Sequence, residues 1–354
     1  MGSNELTFFI GFLVLIFTLL FVDLGLFSKK SHVIRFKEAI IWTSVWVSLA
    51  VGFYFFLSFA GEMIHGVATP EQLSLKLREY NHAFLMSGDW ETDLAAYRRN
   101  LALEFITGYL IEYALSVDNI FVMIVIFAAF QVRERYYKQI LFWGVLGAVV
   151  MRFLFIFLGA SLLDNFHWIM YVFGAFLLYT GIKMVFDDSS DEKIDPGKHP
   201  VVRVLSRIVR VYPRYVGGHF IIRKDGLLYA TPLFVALMVV EFTDVVFAFD
   251  SVPAIFSITK DPYIVFFSNI FAIMGLRSLF FLLSNIMHLF HYLKFGLGFL
   301  MLFIGLKMMF HDWMMSWGMT TEGSLYIILG ILSLSILASI IFPKPKQDDS
   351  EPQP

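Results

Sequence analysis

The stretch VEFTDVVFAFDSVP, residues 240–253, sets Glu241, Asp244 and Asp250 inside a run that is otherwise almost wholly apolar and holds no lysine or arginine. A second stretch, EYALSVDNIFVMIVIF at 112–127, follows the same plan. Aligned, Glu112 stands against Asp244, Asp118 against Asp250 and Asn119 against Ser251. The match continues downstream, where Arg152 meets Arg277, Lys183 meets Lys307, and GIKMVFDD from Gly181 meets GLKMMFHD from Gly305, with Asp188 on Asp312. Self-similarity of this extent marks one structural unit used twice.

The surrounding composition says in which solvent that unit folds. Hydrophobic residues make up 58% of the chain, 41 of its 354 residues are Phe, and the mean hydropathy is +0.72, beyond what a water-soluble domain carries. Apolar runs long enough to cross a hydrocarbon core, which takes roughly 20 helical residues, recur throughout. Candidate spans are Leu6 to Phe27, Glu38 to Ala60, Leu101 to Phe130, Gln139 to Leu163, Trp168 to Phe186, Thr231 to Ile258, Tyr263 to His288, Phe295 to Phe310 and Ser324 to Phe342. The expected fold is therefore an all-α polytopic membrane protein of about nine transmembrane helices. The first run lacks a basic leader and a small-residue cleavage site, so it reads as a retained span.

Each repeat unit holds three spans, an odd number, so the second copy enters the bilayer from the side opposite the first. Such an inverted repeat of two three-helix units is a common plan of secondary transporters, which bind substrate near the midplane where the copies meet. A duplicated helical bundle without transport would leave the same trace. The domain plan is a two-helix hairpin at 1–60, an extracytoplasmic segment at 61–100, the first unit at 101–188, a cytoplasmic loop at 189–230, the second unit at 231–312, a last helix at 313–342 and a disordered tail at 343–354.

Orientation follows from the basic loops SKKSHVIRFK and QVRERYYK, which stay cytoplasmic and put the N-terminus outside and the C-terminus inside a bacterial inner membrane. In the long loop, Arg203, Arg207, Arg210 and Arg214 recur at helical spacing opposite Val, Leu and Ile. That pattern suits a helix on anionic lipid and equally a solvated basic helix. HFIIRKDGLLYA reads as a hairpin turning at KDG. The net charge of -2 gives no general attraction to nucleic acid, and the absence of cysteine removes disulfides and thiolate ligands.

Six acids lie deep in the candidate spans: Asp23, Glu112, Asp118, Glu241, Asp244 and Asp250. An unpaired charge at the bilayer centre costs about 2.5 to 3.5 kcal/mol, so these acids face the protein interior. Arg152 and Arg277, even with Lys183 and Lys307 near helix ends, leave two negative charges unmatched. Bound cations or protons supply the balance. Carboxylates beside Asn119 and Ser251 form a hard oxygen site, suited to Mn²⁺, Mg²⁺ or Ca²⁺ as transported substrate, with no resident cofactor.

Arg152 and Arg277 read as gating or charge-compensating groups, or as members of permanent ion pairs. Lys183 and Lys307 read as side chains snorkelling to headgroups. Pro253 would loosen the helix at Asp250 and Ser251, so the clearer break is expected in the second unit. His288 and His291 read as interfacial, and His65 and His82 as part of a solvated outer surface.

Two other classes compete with transport. An intramembrane diacid enzyme would need a YD or GxGD signature, which the chain lacks, so the chain reads as no enzyme. A membrane-protein assembly or metal-loading partner would work through the basic cytoplasmic loop. No GxxxxGK[ST] occurs, so energy comes from a gradient, with protons as the expected coupling ion.

The motifs EYALSVDN, EFTDVVFAFDSVPAIF and DLGLFSKKSHVIRFKEAIIW, with the paired GxKM endings, resemble the TerC family of integral membrane proteins from Leu6 to Phe342. The extracytoplasmic segment before EFITGYLIEYALSVDN is most similar to the Alx-type branch. The resemblance implies a manganese exporter. It places Glu112, Asp118, Asp244 and Asp250 in the metal site, with Asn119 and Ser251 adjacent and Glu241 and Asp23 at further family positions. The export direction is implied by the resemblance alone.

Overall fold

The computed structural model describes residues 3–28, 36–80, 86–166, 168–186, 200–224, 226–286, 292–310, 313–314 and 318–342. His82, Asp188, His288, His291, Asp312 and the tail at 343–354 lie outside them. Helices dominate: α1 (Ser3–Ser28), α2 (Phe36–Ala60), α3 (Pro70–Glu79), α4 (Trp90–Ala129), α5 (Tyr137–Asn165) and α6 (Ile169–Phe186) form the first part. A short helix α7 (Pro200–Ile208) and a hairpin of β1 (Ile221–Lys224) and β2 (Leu227–Ala230) follow. The second part holds α8 (Pro232–Phe256), α9 (Pro262–Met274), α10 (Leu276–Ile286), α11 (Leu293–Met309) and α12 (Thr321–Ile341).

Seven of these helices are long and apolar enough to cross a membrane, and α9 with α10 forms an eighth candidate bent by 46°. The span expected at Phe295 to Phe310 corresponds to α11, which at 17 residues is not among them, so the described helices give seven or eight candidate spans where about nine were expected. The chain is an all-α polytopic membrane protein.

Local sequence sets the helix starts. Asp89 caps α4 by accepting from the Thr92 N–H at 3.0 Å, which starts this helix at Trp90, well before the span expected from Leu101. Thr231 and Asp261 cap α8 and α9, each followed by a proline whose missing N–H is harmless at the first helical position. Pro253 does not interrupt α8, which runs unbroken to Phe256. It lies in the last turn, where one lost backbone bond costs little. The break in the second unit falls instead at Gly275, between α9 and α10, at a residue with low helix propensity.

The core sits around α4, which packs against α2, α8 and α9, while α5 packs against α8 and α9. Phe12, Phe53, Phe105, Phe267 and Phe271 interlock rings from α1, α2, α4 and α9, the tightest pair being Phe12 and Phe267 at 4.3 Å between centroids. Lipid supplies no hydrophobic drive between helices, so dispersion contacts of this kind and close backbone approach hold the bundle.

The closest approach joins α6 and α11. A Cβ on Gly305 would stand 2.9 Å from the Gly174 carbonyl, and one on Gly181 would stand 2.9 Å from the Gly298 carbonyl. The two helices therefore cross antiparallel, and only glycine fits at the contact.

Candidate functional site

Arg152 of α5 is the centre of the buried polar interior, with no exposed surface. Its Nη1 lies 2.6 Å from Glu112 Oε1 of α4 and donates to Ser251 Oγ of α8 at 2.8 Å and to Asn269 Oδ1 of α9. Its Nη2 lies 3.9 Å from Asp244 Oδ1. One guanidinium thus gathers an acid from each of the two repeated motifs, and Asn269 is fixed for its part by donating to the Val265 carbonyl at 2.8 Å.

The acids have little else. Both carboxylate oxygens of Glu112 and both of Asp244 are buried without a well-formed hydrogen bond, as is the Arg152 Nε. Buried polar atoms are nearly always satisfied, so a cluster of unsatisfied carboxylate oxygens points to a function. Arg152 neutralises part of the charge while leaving coordination capacity on both acids.

Glu241 lies one helical turn from Asp244, and the charges of the two influence each other. Its carboxylate is pressed against Gly147 of α5, where any Cβ would collide with it. Glu241 and Asp244 line a cavity walled by Gly144, Val145, Ala148 and Leu276, with about 10 Å³ of room for a water centre, which is space for one water. Glycines at 144 and 147 make this room for the acids on the facing helix.

Asp118 and Asp250 form a further pair: each is half-buried, and Asp250 feels the charge of Asp118. The Thr180 hydroxyl of α6 lies 3.4 Å from Asp250 Oδ1, and Lys294 of α11 acts electrostatically on Asp118. Asn119 is buried in α4 beside this pair. Asp23 falls in α1, but its side chain is outside the described residues. Arg277 is buried in α10, where it and Glu38 of α2 both act on Lys138 of α5. Among the described residues, no three Asp, Glu or His side chains converge as ligands on one point.

Several residues here escaped the reading of the sequence. Lys307 is buried rather than snorkelling, and it feels the charge of Glu104, whose carboxylate accepts from Thr259 at 2.6 Å and Asn100 at 2.7 Å. Lys183, its repeat mate, is exposed. His65 is buried too: its Nδ1 lies 2.6 Å from the Tyr97 hydroxyl and its Nε2 lies 3.3 Å from Asp261 Oδ2. Near it, Lys76 of α3 contacts Glu5 at 2.6 Å and Glu79 at 2.7 Å; burial opposes its charge, but the two carboxylates raise its pKa above the ordinary lysine value. Glu104 carried a visible signal, an acid in an apolar run eight residues before Glu112, whereas His65 gave none.

Fold and site together define a multi-pass helical membrane protein whose two self-similar acidic motifs meet in the interior of the helical bundle. The pattern of the family described as "Integral membrane protein TerC family" matches residues 97–347, and the chain belongs to that family. Relatives extend over nearly its whole length. It is 40% identical over 345 residues to "Uncharacterized membrane protein STKORF319" of Myxococcus xanthus, covering 97% of this chain and 95% of that one. It is 39% identical over 331 residues to "Putative membrane-bound redox modulator Alx" of Escherichia coli strain K12, covering 92% of each. The protein of the same name from Salmonella typhi is 39% identical over 330 residues, again covering 92% of each. No solved structure matches the chain significantly.

Proposed function

We propose that this protein is a secondary transporter that exports a divalent metal cation, Mn²⁺ foremost, across the bacterial inner membrane. The observation that carries the reading is the meeting of Glu112 and Asp244 at Arg152, two buried acids whose carboxylate oxygens have little beyond that one guanidinium. Oxygens of this kind, with the Ser251 hydroxyl beside them, suit a hard divalent ion. Asp118, Asp250 and Asn119 line the route on one side of this cluster, and Glu241 faces its cavity.

Because Arg152 stands between Glu112 and Asp244 in the present arrangement, a cation that bridges both acids must displace the guanidinium. Arg152 then serves as the counter-charge that alternates with substrate, and protons occupy carboxylates in the return half of the cycle. Hard-ion export also accommodates the redox term in the relatives' name: with no cysteine, this chain has no thiol for disulfide exchange, whereas moving a redox-active metal alters redox balance without one. In this reading the N-terminus lies outside and the C-terminus in the cytoplasm.

Uptake into inside-out vesicles, comparing Mn²⁺, Ca²⁺ and Mg²⁺, tests the proposal. Mn²⁺ uptake is expected in the unmodified protein and is expected to be lost in Glu112→Gln, Asp118→Asn and Asp250→Asn. Unchanged Mn²⁺ movement in all three variants would remove the carboxylates from the pathway.

A further inference from the structure

Residues 200–231 take no part in the carboxylate site, yet hydrogen bonds fix them to one end of the helical bundle. The Tyr215 hydroxyl donates to the Phe130 carbonyl at the end of α4 at 2.6 Å, and Gln139 Nε2 in the first turn of α5 donates to the Gly218 carbonyl at 2.7 Å. Thr231 Oγ1, at the start of α8, donates to the His219 carbonyl at 2.7 Å. The end of α4, the start of α5 and the start of α8 are span ends on one side of the bundle. The segment therefore sits at the level of the membrane surface.

Its chemistry matches that position. On α7, Val201, Val204, Leu205 and Ile208 share one arc, with Arg203, Ser206 and Arg207 opposite. Val201 and Val202 pack on the protein core, but Val204 and Ile208 remain 56% and 76% exposed. Arg203, Arg207, Arg210, Arg214, Arg223 and Lys224 are all exposed, and no Asp or Glu occurs from 200 to 224.

We infer that α7 is a surface anchor for anionic phospholipid, with Val204 and Ile208 entering the acyl boundary and Arg203 and Arg207 meeting the lipid phosphates. Amphipathic helices with basic polar faces bind in this way, and strength grows with both apolar area and anionic lipid. Charge selects the occupant: an uninterrupted basic segment at the bilayer surface faces headgroups before it faces anything else.

The full chain contains no cysteine, so Ile208→Cys and Ser206→Cys each give a single labelling site. The labelled proteins are reconstituted with brominated phosphatidylcholine, alone or mixed with phosphatidylglycerol, and quenching of the label by the brominated chains is measured. The label at 208 is expected to be quenched, more strongly with phosphatidylglycerol, and the label at 206 is not. Adding Arg203→Gln and Arg207→Gln should lower the bound-to-free ratio of α7 by about fivefold for each arginine. An unquenched label at 208 in both bilayers, as under a protein partner or in solvent, would overturn the inference. So would equal quenching at 206 and 208, or quenching at 208 indifferent to phosphatidylglycerol and to the arginines. No metal movement is read, so the outcome is independent of the transport proposal.

Discussion

The two self-similar stretches of sequence place matched residues in unmatched roles. Arg152 in the continuous α5 collects acids from both units, whereas Arg277, its mate, lies in α10 beyond the bend and acts on Lys138. Lys307 is buried with Glu104, while Lys183 is exposed. Other mates act alike: Glu112 and Asp244 share Arg152, Asp250 feels the charge of Asp118, and the α6 and α11 contact sets Gly174 against Gly305 and Gly181 against Gly298. Repetition in sequence thus marks equivalent positions without assigning equivalent work. The asymmetry concentrates one positive charge where two acidic motifs meet.

The sharpest break of that comparison is Arg152→Met set beside Arg277→Met. Losing Arg152 leaves Glu112 and Asp244 buried without a counter-charge, and removing one partner of a buried ion pair costs about 3 to 5 kcal/mol. Denaturation of the detergent-solubilised protein should show that loss for Arg152→Met and a smaller one for Arg277→Met. Adding Glu112→Gln and Asp244→Asn to Arg152→Met should restore most of it. Equal costs for the two arginines would erase the asymmetry.

The symmetric contact predicts the opposite pattern. Alanine at Gly181 or at Gly305 would press on backbone 2.9 Å away, and overpacking of this kind costs about 1 to 3 kcal/mol. Both variants should lose similar stability, whereas Gly330→Ala on α12, with nothing within 4 Å, should change little. A large gap between the Gly181 and Gly305 variants would show that this contact, too, is asymmetric.

Lys307→Met and Lys183→Met form a milder pair. The first removes a buried cation that feels the charge of Glu104, whose carboxylate stays bonded to Thr259 and Asn100, for an expected loss of about 1 to 3 kcal/mol. The second should leave the denaturation midpoint where it was.

What the sequence made legible follows from which signals are local. Apolar runs are written continuously along the chain, so the spans around α4, α5 and α8 could be read, as could the acids inside them, because a charge in lipid is conspicuous. Partnerships are not local. Nothing in the residues near Arg152 distinguishes it from Arg277, since its contacts come from α4, α8 and α9. Lys307 is buried on α11, which packs mainly against α6, a helix distant in sequence, and against α12, whereas its position near a helix end suggested snorkelling. Pro253 misled because its effect depends on distance from the helix end, which the apolar pattern leaves open by several residues.

The smallest expected effect concerns the bend itself, tested by Gly275→Ala beside Val150→Gly at the matched position in α5. Gly275 has φ -75° and ψ -15°, which any residue adopts, and an added Cβ would meet Ala272 O, Trp46 Cβ and Tyr113 Cε2 at 3.5, 3.6 and 3.8 Å, ordinary contacts all. Alanine therefore fits, and its better helix propensity should make the change neutral or stabilising by under about 1 kcal/mol. Val150→Gly should cost about 0.5 to 1 kcal/mol without bending α5, because α5 is held by packing along its length. If α9 and α10 hinge at Gly275 during transport, Gly275→Ala should slow Mn²⁺ uptake in vesicles while leaving stability intact, and amide exchange around residues 275–279 should fall. A stability loss above about 2 kcal/mol would mean that the bend is a packing constraint that needs the missing side chain. The break between α9 and α10 would then be structural, and its contrast with the unbroken α5 would carry no mechanical meaning.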